Sequence, residues 1–228
     1  MGSLRTLIAN CVRAIALTAA AAACSTSSGD SGVSRTSGSP DRPATAQAAF
    51  ARLVEGNQRF ASRSPAIVTT AEVGEMFTRN EAGQSPYATI LTCADSRLSP
   101  AMLFDELLGE LFVVREAGNI AVSPTCLGSL EYARVALDTP LLVVMGHQNC
   151  GAVDAAFKNI EVSGNIKSFV DVIKPGIAEA NSLDEAIVGN VGAVIASIRA
   201  NSPVLRDADI VGAVYDISTG KVRFLGQP

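Results

Sequence analysis

The stretch LLVVMGHQNCG, residues 141–151, decides the fold, because its unbroken apolar run passes directly into polar residues and glycine. Two similar runs lie upstream, YATILT at 87–92 and LFVVR at 111–115. Strands that are apolar along their whole length are typical of a parallel sheet with helices on both faces. We therefore predict an α/β fold in which helices flank a mostly parallel central sheet.

Helical signals precede and separate these strands. Apolar residues recur at helical spacing in 45–61, which predicts an N-terminal helical arm. Ser99-Pro100 and Ser123-Pro124 each place a capping serine before a proline that suits the first helical turn. We predict a helix after each of them, the first stopped by Gly109, and a further helix over 182–200.

The end of the chain has the pattern of a β-hairpin. Residues 210–217 and 222–225 are short apolar runs, and the turn residues Ser218-Thr219-Gly220-Lys221 join them. The last strand is then antiparallel to the strand before it and lies at the edge of the sheet. The predicted sheet has about four parallel strands and one antiparallel C-terminal strand.

Polar side chains follow two of the predicted strands. Cys93-Ala94-Asp95-Ser96-Arg97 comes after the first strand, and His147-Gln148-Asn149-Cys150-Gly151 after the third. Ligands of open parallel sheets bind outside the carboxyl ends of the strands. Thiolate and imidazole suit zinc, and three protein ligands leave a fourth position for water, as in catalytic sites. We predict one zinc ion held by Cys93, His147 and Cys150.

Each of these residues also has a plainer interpretation. Cys93 and Cys150 would pair as a disulfide in an exported binding protein, and strand-end cysteines are often simply buried. The combination of two cysteines with the chain's single histidine favours a metal. Cys126 lies at the start of a predicted helix with no ligand nearby, and we interpret it as structural.

Five blocks of sequence resemble the β-class carbonic anhydrases, and the similarity runs in the family's order over nearly all of residues 45–227. These blocks are LVEGNQRF at 53–60, TCADSR at 92–97, FVVREAGNI at 112–120, GHQNCGAV at 146–153 and VGAVYDISTGKV at 211–222. The pattern Cys-x-Asp-x-Arg followed by His-x-x-Cys-Gly is specific in this setting. The resemblance implies the same three zinc ligands.

The resemblance also implies roles for other residues. Asp95 and Arg97 would form a gating dyad, in which Asp95 becomes a fourth zinc ligand in a closed state only. Gly118, Asn119 and Gly151 would line the substrate pocket. The family further implies a homodimer or higher homo-oligomer with an N-terminal helix packed on the partner.

The expected activity is reversible hydration of CO2 to bicarbonate and a proton by zinc-bound hydroxide, since zinc lowers the pKa of its water, as carbonic anhydrases illustrate. Two thiolates cancel the charge of the ion, so we expect activity to rise toward alkaline pH. With its one histidine on the metal, the chain has no histidine left as a proton shuttle. Hydrolysis of carbonyl sulfide or carbon disulfide and a catalytically silent zinc module stay open as alternatives.

The N-terminus predicts export. Residues 1–23 contain two arginines, no acid and the ten-residue apolar run AIALTAAAAA, which is too short to cross a bilayer but suits a signal peptide. Cys24 follows small residues and is a candidate for lipidation, which would be the only membrane attachment. Residues 24–43 are rich in Ser, Gly and Pro and are predicted to be a flexible tether. The predicted zinc domain is 44–228, in the periplasm or cell envelope.

The overall charge excludes one class of partner. The chain has 18 basic and 22 acidic residues, a formal net charge of −4. A polyphosphate backbone is repelled by such a balance, so we expect no nucleic-acid partner.

Overall fold

The computed structural model describes residues 42–66 and 69–228. The predicted signal peptide, Cys24 and almost all of the predicted tether lie outside the described residues. Within the described ranges, no helix has both the length and the apolar character that crossing a membrane requires. Arg42 stands at the start of the described chain, where its guanidinium donates hydrogen bonds to the carbonyl oxygens of Pro86, Leu137 and Asp138.

A five-stranded sheet forms the centre of the domain, in the spatial order β2-β1-β3-β4-β5. Strands β1 to β4 are parallel, and β5 is antiparallel to β4. This confirms the predicted α/β class, the four parallel strands and the antiparallel C-terminal edge strand. The strands are β1 (Ala88–Thr92), β2 (Leu111–Arg115), β3 (Leu142–His147), β4 (Ile210–Tyr215) and β5 (Val222–Phe224).

The sheet is packed on both faces, as its apolar strands indicated. Ile90 and Val143 belong to one buried cluster, and their neighbours Leu91 and Val144 belong to a second. Successive side chains of a strand point to opposite faces, so the two clusters lie on opposite sides of the sheet.

Seven α-helices are described. They are α1 (Ala46–Ala61), α2 (Thr70–Glu81), α3 (Pro100–Leu103), α4 (Pro124–Val135), α5 (Gly151–Phe157), α6 (Ile166–Ile173) and α7 (Leu183–Asn201). The predictions for α1, α4 and α7 are confirmed to within a few residues. Helices α2, α5 and α6 were not predicted from the sequence.

The chain divides into two compact units, and α2 lies in a different unit from the sheet. Among the described residues, the unit with the sheet spans 42–65 and 84–228, and the other includes 66 and 69–83. Helix α2 begins with a capping box, in which Thr69 accepts from the Glu72 amide and the Glu72 carboxylate accepts from the Thr69 amide. This signal was present in the sequence.

The helix predicted to run from Ser99 to Gly109 is wrong in its extent, because α3 ends at Leu103. Two tertiary contacts account for the early end. The side-chain amide of Asn57 donates to the Leu103 carbonyl at 3.0 Å. Asp105 has a left-handed backbone with φ of 51°, and its carboxylate accepts from Arg59 Nε at 2.6 Å.

Helix α1 packs its buried face on its own chain. Phe50 contacts Phe224 of β5 with ring centroids 4.7 Å apart. A Cβ at Gly56 would lie 1.9 Å from the Phe104 carbonyl oxygen, so only glycine permits this approach. The resemblance implied that an N-terminal helix packs on a partner subunit. In α1, any contact with a partner has to use the remaining exposed face.

Candidate active site

Three side chains with metal-binding atoms meet at the carboxyl edge of the sheet. Cys93 directly follows β1, His147 ends β3, and Cys150 precedes α5. Because β1 and β3 are adjacent and parallel, their ends emerge together. The ligand atoms of the three residues all lie within 4.8 Å of one another, and all three side chains are buried. The structure thus brings together the three residues predicted as ligands.

The imidazole of His147 is oriented so that its Nε2 atom is left as an acceptor. Its Nδ1 lies 2.9 Å from the carbonyl oxygen of Gln148 and donates to it in the tautomer that this contact favours. The Nε2 atom is buried and has no hydrogen-bond partner. Buried polar atoms are nearly always paired. A backbone carbonyl that holds one ring nitrogen and a free lone pair on the other fit a metal-binding histidine.

The two thiols form a coupled pair, with their Sγ atoms 4.0 Å apart. A hydrogen bond from Cys150 is the main reason that the pKa of Cys93 is well below its ordinary value, and the Gly118 amide adds to the effect. The Cys93 thiolate and burial together raise the pKa of Cys150. The first proton of the pair leaves easily, and a cation would have to displace the second.

Asp95 lies beside this trio and is held by Arg97. Asp95 Oδ1 accepts from Arg97 Nε at 2.8 Å and from the Arg97 amide at 2.9 Å, while Oδ2 accepts from Nη2 at 2.7 Å. These hydrogen bonds hold the pKa of Asp95 well below its ordinary value. Oδ2 also lies 3.8 Å from His147 Nε2. The carboxylate is therefore ionised and adjacent to the donor set.

Arg115 is a site residue that the sequence analysis missed. It is the last residue of β2, and its Nη2 donates to the Asp95 carbonyl at 2.6 Å. Its Nε donates to the Cys93 carbonyl at 3.3 Å. Arg115 thus fixes the backbone of the loop that carries Cys93 and Asp95. A charged residue closing an otherwise apolar strand was the available signal.

The three residues predicted to line the pocket differ in their surroundings. The Gly118 amide donates to Cys93 Sγ at 3.4 Å. Asn119 is 1% exposed, and its Nδ2 has no hydrogen-bond partner. Gly151 is exposed at the first position of α5, and a Cβ added there would meet no atom of another segment within 4 Å. Gly118 therefore contacts the candidate ligand Cys93 directly. Gly151 is the residue after the candidate ligand Cys150 and begins α5.

Two further buried residues, Cys126 and Asn190, lie outside the trio, and only the second contacts a residue of the site. Cys126 is buried away from the trio, its Sγ contacts the Ile120 carbonyl at 3.7 Å, and burial raises its pKa to about 11. Its interpretation as a structural cysteine fits this geometry. Asn190 of α7 donates to the Gly118 carbonyl at 2.8 Å, a contact that the sequence analysis did not foresee.

A protein-family model described as carbonic anhydrase matches residues 88–222. This range includes β1 to β4 and every residue of the site described above.

Individual relatives agree with this match. Carbonic anhydrase 2 of Mycobacterium tuberculosis is 34% identical over 189 residues, which are 76% of this chain and 90% of the relative. The carbonic anhydrase of Mycolicibacterium smegmatis is 33% identical over 190 residues, 77% of this chain and 91% of the relative. The solved structure of Coccomyxa β-carbonic anhydrase in complex with acetazolamide has a TM-score of 0.61 at 27% identity, covering 77% of this chain and 86% of that one.

Proposed function

This chain belongs to the β-class carbonic anhydrases, and from that premise we propose that one zinc ion per subunit, bound by Cys93, His147 and Cys150, serves the reversible hydration of CO2 to bicarbonate. The observation that carries the proposal is the buried, unpaired Nε2 of His147 in a trio whose ligand atoms lie within 4.8 Å. Two thiols and an imidazole are a donor set that suits zinc.

The zinc ion would supply Lewis acidity, which makes a water molecule nucleophilic near neutral pH. Cys93 and Cys150 contribute two negative charges when both are deprotonated, and these offset the charge of the ion. Three neutral imidazoles would leave that charge in place. Water bound to zinc at this site would therefore be a weaker acid than water at a three-histidine site, and CO2 hydration activity should rise toward alkaline pH.

Asp95 is proposed to orient the attacking water. Its Oδ2 lies 3.8 Å from His147 Nε2, the nitrogen that would hold the ion, so this oxygen is close enough to accept a hydrogen bond from a water molecule on the metal. Arg97 keeps the carboxylate ionised and turned toward itself through two side-chain contacts. If Arg97 released the carboxylate, Asp95 would become the fourth ligand and close the site.

We propose that CO2 binds in a pocket beside the metal site and that the released proton is carried away by a group outside the protein's side chains. Gly118, Asn119 and Gly151 border the CO2 and bicarbonate pocket. His147 is the chain's only histidine, so no second imidazole is available to carry the proton away, and a buffer molecule or a water chain has to accept it. The hydration rate should therefore increase with buffer concentration.

The deciding experiment combines zinc quantification with stopped-flow CO2 hydration on the purified protein, with carbonyl sulfide and carbon disulfide assayed in parallel. We expect one zinc per chain and hydration of CO2. Zinc without hydration would contradict the enzyme and indicate a zinc module. Absence of zinc, together with the absence of free thiols at Cys93 and Cys150, would indicate instead a binding protein with a disulfide between these two residues.

A homo-oligomer is proposed from the surface around β2. This strand is an edge of the sheet, and Val113 on it is 38% exposed. Tyr132 and Val135 of α4 are also exposed. An open edge strand beside apolar side chains is a surface that proteins usually cover. Light scattering coupled to gel filtration is expected to give a dimer or a larger multiple, and a monomeric mass would contradict this.

Export and lipidation are proposed from residues 1–24 alone. Mass spectrometry of the protein from a bacterial host is expected to show loss of residues 1–23. A lipid adduct at Cys24 would identify a lipid anchor, and an unmodified cysteine there would exclude it. Retention of the intact N-terminus would contradict the export signal.

A further inference from the structure

One polar residue interrupts the apolar face of α7. The buried residues of this helix are Ala186, Ile187, Asn190, Val191, Val194 and Ile198. Asn190 is 2% exposed and stands in the middle of the helix. Asparagine has a low helix propensity, and burying its amide without a partner would cost more than the propensity alone. A buried asparagine at this position therefore calls for a specific partner.

The partner is the turn beside the candidate metal site. Asn190 Nδ2 donates to the Gly118 carbonyl at 2.8 Å. The amide of the same glycine donates to Cys93 Sγ at 3.4 Å. A continuous path of two hydrogen bonds thus runs from α7 through one residue to a candidate ligand.

The geometry of Gly118 makes this path stiff. Only the φ and ψ rotations of one residue, 67° and 20°, separate the carbonyl that Asn190 holds from the amide that faces sulfur. Glycine on its own has wide conformational freedom. Here a Cβ would lie 2.6 Å from Ile173 Cδ1, so the turn is enclosed, and the Asn119 amide is fixed on the Glu116 carbonyl at 2.8 Å.

We propose that Asn190 is a positioning residue for the metal centre. By holding the Gly118 carbonyl, it aims the Gly118 amide at Cys93 Sγ, and this hydrogen bond withdraws electron density from the thiolate and fixes its direction. Outer-shell contacts of this kind orient ligands and tune the metal they bind. The inference rests on the proposed function, because it takes Cys93 to be a zinc ligand.

Two truncations on the same face of α7 test it. Asn190→Ala removes the donor, and Val194→Ala, one turn further along, removes a buried side chain that is apolar and makes no hydrogen bond. Both leave a cavity in the same helix packing. Asn190→Leu is the second variant, since it refills the volume but still lacks a donor. Zinc affinity of each purified protein is measured by competition with a chelator, and Co²⁺ is used to record the thiolate-to-metal absorption band.

Asn190→Ala and Asn190→Leu are expected to weaken zinc binding about tenfold and to move the cobalt band to longer wavelength, since the thiolate regains electron density. Val194→Ala should lose stability but keep both properties. Wild-type affinity and band position in both Asn190 variants would overturn the inference, as would an equal shift in Val194→Ala. Failure of the wild type to bind either ion would overturn the proposed function, and this inference with it.

Discussion

Two arginine–aspartate pairs in this chain have nearly the same contact distance and different surroundings. Arg97 contacts Asp95 at 2.7 Å at the carboxyl edge of the sheet, and Arg59 contacts Asp105 at 2.6 Å where α1 meets the end of α3. The side chains of the first pair are 46% and 18% exposed, and those of the second are 31% and 7% exposed. The second pair is therefore the better shielded from solvent.

The neighbouring atoms separate the two roles. Asp95 Oδ2 lies 3.8 Å from a buried nitrogen that has no hydrogen-bond partner. Asp105 instead has a left-handed backbone and ties the loop after α3 to α1. An ion pair seen by itself therefore says little about its purpose, which depends on what the carboxylate faces. The same Asp→Asn substitution can be made at both positions, so the comparison can be tested directly.

The largest expected effect is that of Asp95→Asn on turnover. The amide keeps the shape of the carboxylate but loses its charge and one acceptor, so it orients water poorly. We expect kcat/KM for CO2 hydration to fall about 100-fold or more, with zinc content and thermal midpoint close to wild type. Stopped-flow assays and metal analysis measure these quantities. Near-normal turnover would remove Asp95 from the proposed mechanism.

The matched substitution Asp105→Asn is expected to act on stability instead. Asparagine tolerates the left-handed backbone at this position, so the change removes charge without adding strain. Loss of a charge-assisted and mostly buried contact should lower the free energy of unfolding by about 1–3 kcal/mol. Urea denaturation measures this, and kcat/KM should stay within about twofold of wild type on the additivity of distant sites. If Asp95→Asn and Asp105→Asn had the same free energy of unfolding, the assignment of a structural role to the Arg59–Asp105 pair alone would be wrong.

Arg115 offers an intermediate case, because it is an exposed arginine that bonds backbone carbonyls near the site. Arg115→Met removes its donors to the Asp95 and Cys93 carbonyls while keeping much of the aliphatic stem. We expect zinc affinity to fall by about tenfold or less, with a matching rise in the zinc dissociation rate. Arg134→Met, at an exposed arginine of α4 paired with Asp138, serves as the control. Identical zinc release from both variants would show that Arg115 does not hold the ligand loop.

Strand placement and the candidate ligands could be predicted because each depends on local or chemically distinctive residues. Long apolar runs define β1 and β3, and parallel neighbours necessarily end at one edge, which brings Cys93 and His147 together. The short helices α5 and α6 were missed because seven or eight residues carry too little periodicity. Arg115 and Asn190 were missed for another reason. Both bind backbone carbonyls of distant segments. The charge at the end of an apolar strand marked Arg115 as unusual, but residue type does not encode the partner of either side chain.

The smallest expected effect concerns the pH dependence of the Asp95–Arg97 pair. Arg97 lowers the pKa of Asp95 in the folded protein, so the pair's contribution to stability is complete above the unfolded-state value of about 3.9. This contribution is lost as the pH falls through the lower folded-state pKa, where the carboxyl is protonated in both states. Because both side chains are reached by solvent, the contribution should be small.

Urea titrations of the zinc-free protein and its Asp95→Asn variant, at about pH 6 and about pH 2, measure this difference. The wild type should be slightly more stable than the variant at the higher pH, and the gap should narrow at the lower pH. A gap that widens in acid would reverse the sign of the pKa shift. A large gap at the higher pH would mean that the Asp95–Arg97 pair is structural like Arg59–Asp105, and that its greater exposure does not make its contribution to stability small.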